Sequence, residues 1–390
     1  MLDQIEGSQA IARAVTACRP QVVCAYPITP QTHIVEALGA KCKSGQLDGC
    51  QFINVESEFA AMSVAIRASA TGARAYTATA SQGLLFMAEA VYNAAGIGLP
   101  IVMTVANRAV GAPINIWNDH SDAMALRDSG WIQLYAADNQ HAVDLHPLAF
   151  RLAEHLSLPV MVCVDGFVLT HAVERIDVPE QQHVDEFLPP FRPRQMLDPG
   201  DPLTIGAMVG PEAFTEVRYL AHQAMTKVAP ALAELTSDFG RVFGRNRSPL
   251  LQTSRLEDAD TVVVSSGSVG GTLADVIDEL RDDGQRIGSV SVTLYRPFPT
   301  DELRAALVGA RRVVVIDRAV AAGGTGFLFA DSRPAAPAGA VMSDVIAGLG
   351  GRPITRRALR DHLSSALRDE TPMMTFLDLQ SAQVAAFSER

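Results

Sequence analysis

Short polar stretches in this chain carry residue types that could do chemistry, and each stands where an apolar run ends. The first, Tyr26-Pro27-Ile28-Thr29-Pro30, presents the hydroxyl of Thr29 on a turn stiffened by proline. The same residues suit a plain helix start, with Thr29 as the cap and Pro30 in the first helical position. The second, Glu56-Ser57-Glu58, runs straight into Phe59-Ala60-Ala61-Met62. A carboxylate there can simply offset a helix dipole. Its apolar neighbours also strip water from Glu58, and a carboxyl group so placed can exchange a proton with a bound heterocycle.

Ala80-Ser81-Gln82-Gly83 offers backbone N–H groups and a hydroxyl to an anion or polar ligand edge, or else forms a simple cap. Asn107-Arg108 places a guanidinium that could grip a carboxylate at two points. A single arginine is equally an ordinary surface charge. In the loop Asn115–Asp122, the side chains of Asp119, His120 and Asp122 make a conceivable metal set. A lid or a subunit contact is the other reading of that loop. Further on, Ser266-Gly267-Ser268-Val269-Gly270-Gly271 follows an apolar run but is not G-x-G-x-x-G, so a tight strand-to-helix turn fits it better than a nucleotide loop. The chain has no P-loop, and no nucleophile elbow stands at a strand end.

Such residues need a frame. Val22–Tyr26, Phe52–Val55, Ala75–Thr79, Ile101–Ala106 and Val160–Val164 are short apolar runs and read as strands. Gln31–Lys41, Ser57–Ala70, Gly83–Ala95 and Val143–His155 have helical spacing. This alternation predicts an α/β fold with a parallel sheet covered on both faces. The candidate residues would then lie at the carboxyl ends of its strands, where open α/β sheets bind ligands. Asp177–Pro202 is proline-rich and reads as a surface crossing, Pro211–Gly240 as helical. A boundary is expected near residue 245, dividing the chain into 1–245 and 246–390. In the second part Thr261–Ser266, Ile287–Tyr295 and Arg312–Asp317 read as strands, Gly270–Asp283 and Thr300–Gly309 as helices. Arg318–Arg390 mixes a Gly/Ala/Pro-rich segment with helices.

Composition narrows the function classes. Of 390 residues, 48% are hydrophobic and 19% charged, which excludes disorder as a general description. A net charge of −11 argues against a nucleic-acid surface, since phosphate binding needs clustered cations. No apolar run approaches the ~18 residues of a transmembrane helix. With no signal peptide at Met1–Glu6, the expectation is a cytoplasmic protein with free thiols at Cys18, Cys24, Cys42, Cys50 and Cys163. No pair is spaced as C-x-x-C, so neither a zinc knuckle nor an iron–sulfur ligand run is available, and no metal site is expected on this chain.

Taken in order, Y-P-I-T-P, E-S-E-F-A-A, T-A-S-Q-G-L, A-N-R and N-D-H-S-D-x-x-A-x-R-D-x-G-W resemble one family. It is the alpha subunit of the thiamine diphosphate-dependent 2-oxoacid:ferredoxin oxidoreductases, the pyruvate synthase group. Leu158–His171 and Gly348–Thr355 are similar too, and the likeness is densest over residues 1–175. The resemblance implies a pyrimidine-type thiamine diphosphate-binding domain over 1–245 and a transketolase C-terminal-like α/β domain over 246–390. It implies that Thr29 faces the 2-oxoacid and the thiazolium, that Glu58 hydrogen-bonds the aminopyrimidine, and that Arg108 holds the substrate carboxylate. Ser81 and Gln82 join Glu58 and Thr29 as expected cofactor contacts.

The implied reaction is coenzyme A-dependent oxidative decarboxylation of a 2-oxoacid, with electrons passing singly through iron–sulfur clusters to ferredoxin. Pyruvate is favoured, because Thr29 suits a neutral group on the keto carbon. Branched-chain or aryl acids such as phenylglyoxylate, with NAD as final acceptor, are the alternative substrates. A non-catalytic assembly subunit is a second alternative, and a stand-alone dinucleotide-binding protein using Gly267–Gly271 a third. The family's GDG…Asn motif for diphosphate and magnesium is missing, as are cluster-binding cysteine runs. The resemblance therefore implies a heteromer in which beta-, gamma- and delta-type subunits supply Mg2+, the diphosphate site and the clusters.

Overall fold

Short β-branched runs form the strands of this molecule, and the small-residue and amphipathic runs between them form helices. The structure is a computed structural model that describes residues 2–388. Its strands are β1 (Leu2–Glu6), β2 (Val22–Ala25), β3 (Gln51–Asn54), β4 (Ala75–Thr79), β5 (Val102–Asn107), β6 (Ile132–Tyr135), β7 (Val160–Asp165) and β8 (Val173–Asp177). Then come β9 (Leu251–Ser254), β10 (Thr261–Ser266), β11 (Ile287–Val292), β12 (Leu294–Arg296), β13 (Arg312–Asp317), β14 (Val341–Ile346) and β15 (Met374–Phe376). The chain divides into one unit of Met1–Gln252 with Val292–Pro299, and another of Thr253–Ser291 with Thr300–Arg390.

The first unit is built on a seven-stranded sheet of order β12-β6-β7-β5-β4-β2-β3. Its neighbours are parallel except for β12, which runs antiparallel to β6. Every residue of β4, β5, β6 and β7 is buried, as a parallel sheet covered on both faces requires. From β2 the chain moves outward to β3, then crosses to β4 on the other side of β2. A crevice opens where strand order reverses in this way, so ligands are expected between the ends of β2 and β4.

Side-chain size explains the close helix packing beside that crevice. Helix Glu58–Ala70 is largely Ala and Ser, and it comes near enough to β2 for the Cys24 thiol to donate to the Ala61 carbonyl at 3.0 Å. Helix Asn139–Leu156 starts at Asp138, whose carboxylate accepts the His141 N–H at 2.7 Å, a cap worth about 1 kcal/mol.

Several elements depart from the sequence reading. The helix expected over Gly83–Ala95 is two, Ser81–Phe86 and Ala88–Gly96, separated by Met87. Pro211–Gly240 likewise divides at Lys227 into Pro211–Thr226 and Val228–Phe243. The Asp177–Pro202 crossing contains a short helix, Gln181–Phe187, that buries Val184 and Phe187. Three strands in the amino-terminal half, β1, β6 and β8, were not anticipated. β1 and β8 pair antiparallel as a separate ribbon. β6 hides because Gln133 interrupts its apolar run; that side chain is buried and donates to the Ala123 carbonyl at 2.9 Å.

The run Ile287–Tyr295, expected as one strand, breaks at Thr293 into β11 and β12, which belong to different sheets. Thr293 is the reason: its N–H donates to the Leu250 carbonyl at 2.9 Å and its carbonyl accepts from Tyr135 N–H at 2.8 Å. The chain thus returns to the first unit for a few residues before completing the second.

The second unit has a sheet of order β15-β14-β13-β10-β11-β9, with β10, β13, β14 and β15 parallel. Val263, Val314, Ile316 and Val345 pack with Leu273, Val276 and Ile277 of helix Val269–Asp282 and Leu359 and Leu363 of helix Arg356–Leu367. The sequence concealed β14 behind its central Asp344, and β15 is too short to show a period. Among the described residues no helix is long and apolar enough to cross a membrane. All five cysteines are free thiols.

Candidate active site at the strand ends

The loops leaving β2, β3, β4 and β5 carry the residues singled out from sequence. Ser57 starts helix Glu58–Ala70, its Oγ accepting the Ala60 N–H at 3.2 Å, so Glu58 is released from capping. Glu58 is only 8% exposed, yet its carboxylate accepts no hydrogen bond from any described residue. It lies against Gly83, where a Cβ would stand 2.6 Å from Glu58 Oε1 and 2.7 Å from Thr79 Oγ1. The Thr79 hydroxyl is itself buried without a partner among the described residues. A buried acceptor with unspent lone pairs, beside a wall kept bare by glycine, fits a ring that brings its own donor.

Thr29 is exposed on its loop. The following helix begins only at Thr32, so Thr29 does not cap it and Pro30 is not its first residue. Gln31 shapes the loop instead, its Nε2 donating to the Tyr26 and Ala78 carbonyls at 2.9 Å each. Arg108 reaches this loop: its Nη1 donates to the Thr29 carbonyl at 2.9 Å while its Nε donates to the Asn115 carbonyl at 3.0 Å. Nη2 has no partner among the described residues, so Nη1 and Nη2 can grip a carboxylate end-on. Burial draws the Arg108 pKa down from its ordinary value, and the Asp122 carboxylate opposes it.

Ser81 is fully buried with φ +50, a backbone conformation rare outside glycine. Its N–H donates to Asp122 Oδ2 at 2.8 Å, and its Oγ donates its one hydrogen to the Ala109 carbonyl at 2.5 Å, with Gln82 Oε1 also against it. Both groups are therefore spent within the chain, against the expectation that they offer an anion-binding edge. Gln82 is half-buried and faces Gly111, where a Cβ would stand 2.7 Å from its Nε2.

Asp119, His120 and Asp122 do not converge as ligands. Asp119 accepts from the Ser121 N–H at 2.9 Å, and His120 Nε2 pairs with Asp165 Oδ1 at 2.7 Å. Among the described residues no group of His, Cys, Asp or Glu could hold a metal. Asp122 turns out to have a different role. It is wholly buried, with Oδ2 taking the Ser81 and Arg108 N–H groups at 2.8 and 3.0 Å. Its Oδ1 takes Asn107 Nδ2 and the Ala123 N–H at 2.8 and 2.7 Å. Burial pushes its carboxyl up to about 6, and these four donors pull it back. Its only trace in the sequence was the polarity of the N-D-H-S-D run.

Sequence reasoning also passed over an aromatic row beside the Thr29 loop. Trp117 and Phe167 lie 6.2 Å apart, Phe167 and His171 4.6 Å, and His171 and His33 4.7 Å, with Glu6 Oε1 2.8 Å from His33 Nδ1. In the second unit the Ser266–Gly271 stretch is a tight turn at Gly267, φ +76. A Cβ at Gly271 would meet nothing within 4 Å, and at Gly270 nothing nearer than Ser291 Oγ at 3.7 Å. Close helix–strand approach, the reason for glycine in a dinucleotide fingerprint, does not demand them here.

Residues 13–236 match the family described as pyruvate flavodoxin/ferredoxin oxidoreductase, thiamine diphosphate-binding, and residues 259–359 match pyruvate:ferredoxin oxidoreductase core domain II. The chain is 48% identical over 356 residues to the pyruvate synthase subunit PorA of Methanosarcina barkeri, covering 90% of this chain and 89% of that one. It is 40% identical over 360 residues to the ketoisovalerate oxidoreductase subunit VorA of Pyrococcus horikoshii, covering 91% of each. In fold it is similar to a 2-oxoglutarate:ferredoxin oxidoreductase from Magnetococcus marinus, with TM-score 0.69 at 18% identity. That match covers 94% of this chain and 65% of the other. A split-gene transketolase is also similar, with TM-score 0.53 at 15% identity over 95% of this chain and 100% of that one. A thiamine diphosphate-binding family match over the unit that holds Glu58, with relatives this similar along most of their length, places the chain in the pyruvate flavodoxin/ferredoxin oxidoreductase family, as its alpha-type subunit.

Proposed function

We propose that this chain is the alpha subunit of a heteromeric enzyme that oxidatively decarboxylates a 2-oxoacid, pyruvate first among them, to an acyl-coenzyme A. The bond between keto carbon and carboxylate breaks and carbon dioxide leaves. The acyl group passes to the thiol of coenzyme A, and two electrons leave one at a time to iron–sulfur clusters and ferredoxin. The observation that carries this reading is Glu58, a buried carboxylate with no hydrogen-bond partner among the described residues, set against bare Gly83.

When bound, thiamine diphosphate supplies a carbon nucleophile and an electron sink. Glu58 would hold a proton opposite a nitrogen of the aminopyrimidine. Arg108, pinned by two main-chain carbonyls, would orient the substrate through its carboxylate. Thr29 would present its hydroxyl to the neutral end of the substrate. Gln82 stays a candidate cofactor contact, whereas Ser81 acts through the backbone it anchors. Pyruvate is preferred over a branched-chain acid because the PorA relative is more similar than the VorA one.

Mg2+, the diphosphate site and the clusters would come from beta-, gamma- and delta-type partners, since the GDG…Asn motif and cluster-binding cysteine runs are missing from this sequence. Apolar surface near the strand ends supports a covering partner: Phe86 is 61% exposed beside Phe59, and Ile114 78% exposed. The test is viologen reduction by the co-purified complex with a panel of 2-oxoacids, coenzyme A and thiamine diphosphate, and with NAD as a competing acceptor. Reduction that needs both cofactors and runs fastest on pyruvate is expected. A branched-chain or aryl acid as the fastest substrate would reassign the specificity. No electrons from any 2-oxoacid would withdraw the catalytic roles.

A further inference from the structure

Asp122 joins two loops that the sequence keeps far apart. Through Oδ2 it holds the N–H of Ser81, where β4 enters helix Ser81–Phe86, and the N–H of Arg108, at the end of β5. That helix carries Gly83, the wall against which Glu58 lies. One carboxylate oxygen therefore sets the distance between the arginine loop and the glutamate's support. Its other oxygen is occupied by Asn107 Nδ2 and the Ala123 N–H, which fix the rotation of the carboxylate. The arrangement needs an acceptor at both oxygens, and among neutral or ionised side chains of this length only ionised aspartate has that.

We propose that Asp122 is a positioning residue that holds Arg108 in register with the Glu58 wall, so that a substrate carboxylate and the cofactor ring meet correctly. The role rests on the function proposed above, and it acts through Arg108 and Ser81 without contact to the substrate. Burial supports it, since a carboxylate pushed up to about 6 loses its charge only in mild acid. The other groups facing it are Arg108 from the β5 loop, Tyr135 on β6, and Cys163 and the His120–Asp165 pair around β7. Protonation at Oδ2 puts a hydrogen where the Ser81 and Arg108 N–H groups already point, so one of those two loops must let go.

The experiment is steady-state kinetics of the assembled complex against pH, for the natural chain and for Asp122→Asn. In the natural complex kcat/KM for the 2-oxoacid should fall as pH drops through about 6, through KM rather than kcat. Asp122→Asn should raise KM about tenfold at pH 7.5 and abolish that acid limb, because a carboxamide turns an N–H2 toward two of the donors whichever way it sits. A structural role alone would lower the active fraction or the melting temperature and leave KM and the pH profile of the surviving enzyme unchanged; that result overturns the proposal. Should the variant fail to assemble, the natural complex decides, and a KM flat from pH 5 to 7.5 refutes the role. A natural complex that turns over no 2-oxoacid overturns the functional reading instead, so the two failures are distinct.

Discussion

Glu58 and Asp122 are both buried carboxylates at strand ends, and their surroundings give them opposite work. Asp122 has four donors and is committed to holding backbone; Glu58 has none among the described residues and is left to act on what enters. Replacing Glu58 by Gln keeps the volume packed against Gly83 while removing the ability to hold a proton. Turnover of the complex should fall by about 10²–10⁴-fold, the usual worth of a general acid–base group, with assembly intact. Viologen reduction and size-exclusion chromatography check both halves. Unchanged turnover would make this an assembly subunit that kept the fold alone.

Gly83 shows how an element can matter through what it lacks. Helix Ser81–Phe86 presents it to Glu58 with no room for a methyl group, at 2.6 Å from Oε1. Gly83→Ala should push Glu58 out of place at a cost of about 1–3 kcal/mol, the usual toll of overpacking. Thiamine diphosphate affinity of the complex, measured calorimetrically, should weaken while circular dichroism stays native. Among the elements themselves, Ala75–Thr79, Thr261–Ser266 and Arg312–Asp317 were legible to the residue, because buried parallel strands read as unbroken apolar runs bounded by polar turns. β6 and β14 escaped since each carries a buried polar residue, Gln133 or Asp344, whose place is decided by partners distant in sequence. The long helix of the Gly83–Ala95 reading split at Met87 for no reason that periodicity records.

Stability of the second unit should carry a pH signature of its own. Asp317, at the end of β13, is fully buried, and burial pushes its carboxyl up to about 8 while the Phe329 N–H, donating at 3.1 Å, works against that and neighbouring Asp344 adds to it. The folded chain therefore binds this proton more tightly than the unfolded one, where an aspartate titrates near 3.9. That contribution is fully present below about pH 4 and is lost as pH rises through about 8, so the slope of stability with pH is negative in that window. Melting of the protein should shift downward between pH 5 and 8 and level off above that. Asp317→Asn, which keeps an acceptor for the Phe329 N–H, should flatten that dependence in a differential scanning series; an unaltered slope would place its origin elsewhere.

The order of the motifs, the strand-ending position of each, and the alternation that makes an α/β fold were all available from the sequence, because they depend on neighbours along the chain. Thr29, Glu58 and Arg108 could be named there for the same reason. Which of them meet could not. Thr29 and Arg108 touch because the sheet reverses its strand order between β2 and β4 and puts β5 beyond, a choice made by how helices cover both faces. The same assembly spends the Ser81 hydroxyl on Ala109, scatters the would-be ligands Asp119, His120 and Asp122, and makes Asp122 the tie between loops. A polar side chain has several possible partners until burial removes water as one of them; only the packed structure decides which partner remains.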